Sequence, residues 1–316
     1  MISKMRSSGW AVLMIGLLLQ APASAAVVKD ASGRTIDVTD SSRIVSIGGA
    51  VTEILYALGL EDRMVAVDTT SLYPPQILKS KPNVGYFRQL SPEGVMGLAP
   101  SVILAVEGAG PKEAMAVLKA ASIPLVSIPD HFNGDGIVEK IRMIAKATGK
   151  ERQGECLSQL VSNDLSALTT LRSAITTPVK VVFILSYMNG RPMVAGRGTA
   201  ADGIIRMAGA VNAFGDFDGY KIVNDEAVMV AAPEAVIAMQ RGGHELNAAT
   251  VFEHAAFRAT PAAKNQRFFA MDGLYMLGFG PRTAQAARDL SRMLYPNVTF
   301  ADLPSEAAAE RDRPCR

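Results

Sequence analysis

Short β-branched and apolar runs alternate along this chain with stretches whose apolar positions recur every three or four residues. That alternation is the pattern of parallel α/β units. In the first half, Ile44–Ile47, Met64–Val67, Val102–Ala105 and Leu125–Ile128 predict strands, and Thr52–Leu58, Lys112–Ala121 and Gly136–Thr148 predict helices. The pattern starts afresh with strands at Val179–Leu185, Ala235–Met239 and Phe268–Met271 and helices at Ala201–Met207 and Thr283–Leu294. Pro281 opens the last helix and Pro296 follows its end, as helix termini favour. Between the halves, Leu157, Leu160, Val161, Leu165, Leu168 and Leu171 place one apolar stripe along Glu151–Ser173. Such a helix is about 35 Å long, enough to cross from one lobe to another. Thr176-Thr177-Pro178 stops it.

An internal repeat supports two copies of one unit. Leu90-Ser91-Pro92-Glu93-Gly94-Val95-Met96-Gly97-Leu98-Ala99-Pro100 matches Val223-Asn224-Asp225-Glu226-Ala227-Val228-Met229-Val230-Ala231-Ala232-Pro233 at constant offset, and each segment leads into a strand. A second echo pairs Thr52-Glu53-Ile54-Leu55 with Ala201-Asp202-Gly203-Ile204. The expected architecture is α/β: two Rossmann-like lobes with central parallel sheets and separate cores, joined by one long helix, with a ligand cleft between them. The expected divisions are a leader over residues 1–25, a first lobe over 26–149, the connecting helix over 150–177, a second lobe over 178–300 and a disordered tail over 301–316.

The leader changes the picture of where the chain works. Lys4 and Arg6 precede the apolar run Trp10–Leu19, and Pro22-Ala23-Ser24-Ala25 ends in a small-x-small pattern. These are the parts of a secretory signal, and the expectation is cleavage after Ala25 and an exported, periplasmic mature chain. The run is about half the length a bilayer-spanning helix needs. Losing Lys4 and Arg6, and no acid, takes the formal charge from +2 to zero. A balanced charge argues against nucleic acid, which is held through clustered Lys and Arg. The two cysteines, Cys156 and Cys315, are too few for a disulfide framework or a zinc site, and the expectation is two free thiols.

Ligands of parallel α/β sheets bind beyond the carboxyl ends of the strands. The loops Gly48–Val51, Asp68–Pro75, Glu107–Pro111 and Gln240–Glu245 are therefore candidates to line the cleft. Pro74 and Pro75 stiffen the chain after Tyr73. A phenolate oxygen is a hard donor suited to ferric iron, although on loop position alone a tyrosine that hydrogen-bonds to cap its own loop is the commoner case. Asp68-Thr69-Thr70-Ser71-Leu72-Tyr73-Pro74, Val84-Gly85-Tyr86-Phe87-Arg88-Gln89-Leu90-Ser91-Pro92-Glu93-Gly94, Gly196-Arg197-Gly198-Thr199-Ala200-Ala201-Asp202-Gly203 and Gly278-Phe279-Gly280-Pro281-Arg282 together resemble the periplasmic haem-binding proteins of bacterial ABC haem importers. The resemblance runs through nearly the whole mature chain. It implies two α/β lobes on one long helix, haem b as transported ligand, an ABC permease–ATPase as partner, a monomer, and Tyr73 as the iron ligand.

Some members of that family have Lys or Arg two residues after the ligand tyrosine, where this chain has Pro75. Arg241, at the repeat position of Gly108, is the expected replacement, pairing with a haem propionate or the tyrosinate. Arg88 and Lys221 occupy equivalent repeat positions and are further propionate candidates. His244, Tyr275 and Met276 are candidates to line the cleft. In the resembled family one acid per lobe meets basic residues of the permease, and Glu53 and Asp202 are expected to fill that role. No His pair has metal-site spacing, and nucleophile-elbow, phosphate-loop and zinc-protease motifs are missing. The expected function is haem capture rather than catalysis. Two readings stay open beside it: a ferric siderophore or cobalamin as ligand on the same fold, and an exported enzyme acting on a small iron or cell-wall compound.

Overall fold

The computed structural model describes residues 26–240, 246–309 and Cys315. The expected leader therefore lies outside the described residues. The described residues open with an antiparallel hairpin, β1 (Ala26–Lys29) and β2 (Thr35–Val38). Its turn is tied by Asp30, which accepts from Ser32 and Arg34, and it docks on the first sheet through Ala31 N–H to the Ser127 carbonyl.

Four strands form that sheet: β3 (Ile44–Ile47), β4 (Met64–Val67), β5 (Val102–Val106) and β6 (Leu125–Ile128), in the order β4-β3-β5-β6. All are parallel. Their near-continuous apolar sequences suit a sheet covered on both faces. The second sheet contains β7 (Lys180–Met188), β8 (Arg191–Ala195), β9 (Val211–Asn212), β10 (Tyr220–Ile222), β11 (Ala235–Gln240) and β12 (Phe268–Asp272). It runs β10-β8-β7-β11-β12, with β9 beside β7. Strands β7, β11 and β12 are parallel, but β8 and β10 are antiparallel. The expected parallel strands are thus present in the second lobe, and the antiparallel pair β8 and β10 is an addition to them. The cause is Asn189-Gly190, both at positive φ (51° and 74°), a two-residue hairpin turn that folds β7 back into β8.

The repeat is structural. Helices Pro92–Met96 and Asp225–Ala231 are capped by Ser91 and Asn224, whose side chains accept from Gly94 and Ala227 backbone N–H. They are followed by Ala99 and Ala232, both left-handed (φ 46° and 44°), each one residue before a proline. Two alanines strained in the same way at matched positions are hard to assign to chance, because L-residues seldom adopt this conformation.

Helix Glu151–Arg172 separates the two sheets in sequence and packs on Gly134–Ala147 of the first lobe and Thr283–Leu294 of the second. Gly154 makes the first contact possible, since a Cβ there would stand 2.2 Å from Ala145 Cβ. Leu157, Val161 and Leu168 bury the stripe read from the sequence. The apolar core is not divided as expected. One cluster runs through Ile54, Ile141, Leu168, Ile204 and Leu290, from the first lobe across the helix into the second.

The expectation of a disordered tail is also corrected for the described residues 301–309. Leu303 is buried, Pro304–Ala309 is helical, Ser305 N–H donates to Asp164 at 2.8 Å, and Glu306 pairs with the buried Arg288. A guanidinium taken out of water requires carboxylates, and the polar tail supplies them. Cys156 and Cys315 form a disulfide rather than two free thiols. Their separation of 159 residues gave no sequence signal, because connectivity follows from the fold.

Candidate functional site

The loop after β4 is built around one buried carboxylate. Asp68, 0% exposed, accepts at Oδ1 from Gly48 N–H (2.9 Å) and Ser71 Oγ (3.0 Å), and at Oδ2 from Thr70 N–H (3.0 Å) and Thr70 Oγ1 (2.7 Å). Thr70 Oγ1 in turn accepts from Gly49 N–H at 3.0 Å. The hydroxyls of Ser71, Thr52 and Ser46 continue the network at 2.7 Å steps into the sheet. Asp68 thus meets the amino end of helix Gly49–Ala57, where negative charge is favourable. Gly49 has to be glycine: an added Cβ would sit 2.3 Å from the Thr70 carbonyl oxygen. The Asp68–Ser71 turn is consequently fixed at both oxygens of its first side chain, and Tyr73 leaves it half-exposed.

The tyrosine ring meets the second lobe. Arg282 Cζ lies 3.6 Å from the Tyr73 ring centroid, and Tyr56 approaches the same ring edge-on with centroids 6.5 Å apart. Arg282 is held by a two-pronged pair with Glu53, Nε to Oε1 at 3.0 Å and Nη2 to Oε2 at 2.8 Å, while its own backbone N–H donates to Oε1 at 3.3 Å. Burial works against the Arg282 charge, and the hydrogen bonds to Glu53 outweigh it, so this guanidinium holds its proton more firmly than usual.

Other expected residues fall differently. Tyr275 comes within 5.1 Å of Arg282, but its hydroxyl donates to Asp289 at 2.8 Å. Burial, reinforced by Asp289, pushes its pKa up. Met276, expected to line the cleft, is 0% exposed and belongs to the core; apolar packing claims it. Arg88 and Lys221 are both exposed, stacked over Phe87 (4.9 Å) and Phe217 (4.8 Å). Burial raises the pKa of Tyr220 on β10, and the Arg88 charge opposes that rise from the other lobe. Arg88 also borders an open depression of about 600 Å³ at the carboxyl end of β5, shared with Val106, Glu107, Gly108 and Pro111. Arg241 and His244 lie outside the described residues. His131 faces Glu139, and His254 is occupied by the Gly190 carbonyl. Among the described residues no cluster of His, Cys, Asp or Glu has the makings of a metal site, and no helix is long and apolar enough to cross a membrane.

The docking role expected of Glu53 and Asp202 is not compatible with their surroundings. Glu53 is 4% exposed beneath Arg282. Asp202 is 3% exposed and takes hydrogen bonds from Asn212 Nδ2 and Gly198 N–H, with Arg206 3.2 Å away. Carboxylates so enclosed do not present charge to a partner. The repeat contains a different pair that the sequence reading passed over: Glu93 and Glu226, second residues of the two matched helices, both exposed. The signal was the identity of these two acids at the repeat offset.

Residues 44–274 match the model of the periplasmic binding protein family. The structure is similar to that of a periplasmic haem-binding protein, BhuT, in complex with two haems (35% identity, TM-score 0.77), covering 82% of this chain and 100% of that one. It is likewise similar to the periplasmic haem-binding protein RhuT from Roseiflexus sp. RS-1 (36% identity, TM-score 0.76), with the same coverage of 82% and 100%. Among curated sequences, a vitamin B12-binding protein of Yersinia pseudotuberculosis is 28% identical over 216 residues, 67% of this chain and 75% of that protein.

Proposed function

Because this chain belongs to the periplasmic binding protein family, we propose that it captures ferric haem b between its lobes and delivers it to an ABC permease–ATPase of the inner membrane. The observation that carries the haem reading is Tyr73, a half-exposed phenol on a turn fixed by Asp68, standing where the two lobes meet. A phenolate is a known axial ligand of haem iron. Arg88 and Lys221, one on each lobe and each braced against a ring, are suited to the two propionates. Arg241 is a further propionate partner in this proposal. Binding, not turnover, is the task of proteins of this family.

Cobalamin is the competing ligand, supported by the similarity to a B12-binding protein. Its cobalt carries its own axial ligands, cyanide and the nucleotide base in cyanocobalamin, and does not call for a tyrosinate. Titrating the purified mature protein with hemin and, separately, with cyanocobalamin separates the two. Saturable high-spin ferric bands with hemin, and no change with cyanocobalamin, are expected. The reverse pattern would replace haem by cobalamin.

Glu93 and Glu226 take over the docking role. They are exposed, related by the repeat, and carried one on each lobe, as a permease with two related halves requires. Reversing both, Glu93→Lys with Glu226→Lys, is expected to leave hemin affinity unchanged. Haem delivery into vesicles carrying the permease–ATPase should fall at least tenfold, with a smaller loss for each single change. Undiminished delivery by the double variant would remove these residues from the interface.

A further inference from the structure

We infer that Arg282 is the positioning residue for the iron-ligating tyrosine, supplied across the lobe junction in place of a cation on the tyrosine's own loop. The inference rests on Tyr73 being the iron ligand. Its first support is the make-up of the loop: Tyr73 is followed by Pro74 and Pro75, and Pro75 is exposed and carries no charge. Any cation beside this phenol must come from another segment, and the guanidinium 3.6 Å from the ring centroid does. That separation is van der Waals contact over the face, well inside the range of cation–π attraction.

The second support is that Arg282 is itself immobilised. Its fork is closed on the nearly inaccessible Glu53, and its backbone N–H adds a third bond to the same carboxylate. Paired charges removed from water are held to one geometry by hydrogen bonds that are shorter and stronger than neutral ones. Gly280 lies against the same carboxylate, where a Cβ would stand in ordinary van der Waals contact at 3.4 Å. Glu53 stands on helix Gly49–Ala57, whose amino end also anchors the tyrosine loop through Gly48 and Gly49. One helix therefore fixes Tyr73 twice, at its backbone through Asp68 and at its ring through Arg282. With Tyr56 edge-on to the same ring, little rotational freedom is left about the Tyr73 side chain.

The consequence concerns how ligand is held and let go. Tyr73 lies on the first lobe and Arg282 on the second, so the ring is braced only while the lobes stay apposed as they are here. Separation of the lobes withdraws the guanidinium and leaves the phenol unsupported. Loss of a single contact elsewhere between the lobes leaves that brace in place.

The test compares the wild type, Tyr73→Phe, Arg282→Lys, and a paired Glu53→Gln/Arg282→Gln variant in which no buried charge is stranded. A second paired variant, Asp130→Asn/Lys140→Gln, weakens a different lobe contact, in which Lys140 Nζ reaches both Asp130 (2.7 Å) and the Phe279 carbonyl (3.3 Å). Each is melted by circular dichroism, loaded with hemin, and followed by its tyrosinate-to-iron charge-transfer band and by haem loss to an excess of apomyoglobin. The Glu53/Arg282 pair variant is expected to shift the band and to lose haem at least tenfold faster. Arg282→Lys should recover only part of that loss, since an ammonium keeps the charge but not the planar stack. The Asp130/Lys140 variant should leave the band in place. The inference is overturned if the folded Glu53/Arg282 variant keeps an unshifted band and the wild-type rate, or if the Asp130/Lys140 variant shifts the band equally. Should the Glu53/Arg282 variant not fold, Arg282→Lys decides: wild-type band and rate overturn it. Loss of the underlying haem reading has a separate signature, in which the wild type shows no such band or Tyr73→Phe retains it.

Discussion

Tyr73→Phe is expected to leave the protein folded and to lower its affinity for hemin at least about a hundredfold, roughly 2.7 kcal/mol. The substitution removes one oxygen and keeps the ring. Stacking on Arg282 at 3.6 Å and the edge contact with Tyr56 both survive it, as does the Asp68 network, which uses only the backbone and hydroxyls of residues 46–71. What disappears is the phenolate–iron bond, together with the absorption that arises from it. The porphyrin still buries apolar surface and its propionates still meet cations, so residual binding is expected rather than none. Equilibrium titration with hemin measures the affinity, and the visible spectrum reports the ligand. A variant with unchanged affinity and an unchanged charge-transfer band would show that another group holds the metal.

The tyrosine loop was legible in the sequence because its signal is local. A strand, an Asp-Thr-Thr-Ser turn and two prolines stand within a dozen residues, and the side chains that fix the turn are its own. The partner of that tyrosine was not legible. Arg282 and Glu53 are 229 residues apart, and nothing in either neighbourhood says that they meet. Glu53 shows the cost of reading such a residue alone. The resemblance and the echo with Asp202 gave it an outward docking role, and the cross-lobe guanidinium that turns it inward is a tertiary fact. Met276 fails in the same way, since an apolar residue after a strand reads alike whether it lines a cleft or fills a core.

The fold divides along a similar line. The parallel strands β3 to β6 follow from continuous apolar runs, and β7, β11 and β12 from the same cue. Strand β8 was missed although Asn189-Gly190 announces a hairpin, because Arg191-Pro192-Met193 contains a proline that demotes a strand reading. That proline is tolerated because β8 has one strand partner there rather than two, the β10 register ending at Met193. Matched glutamates in the repeat carried more information about an outward surface than their sequence similarity alone suggested, because equivalent helix starts present equivalent faces.

Breaking the Cys156–Cys315 disulfide is expected to destabilise the protein by about 3–5 kcal/mol, lowering its Tm by roughly 5–10 °C. The magnitude follows from the length of chain that the bond closes. A cross-link spanning 159 residues removes a large share of the conformations open to the unfolded chain, and the chain-entropy relation gives about 5 kcal/mol for a loop of this size. The bond also ties the tail to the connecting helix, reinforcing the Ser305–Asp164 and Glu306–Arg288 contacts that hold Pro304–Ala309. Once the bond is gone, the tail can fray, and fraying would leave Arg288, 3% exposed, without the Glu306 carboxylate that compensates its burial. The double variant Cys156→Ser/Cys315→Ser measures the loss without a stray thiol, and melting the wild type with and without reductant should reproduce it. An oxidising compartment favours the bond, so exported wild-type protein is expected to show no reactive thiol until it is reduced. Two free thiols in that material, or coincident melts for the oxidised and reduced chains, would mean that the tail is held by its packing alone.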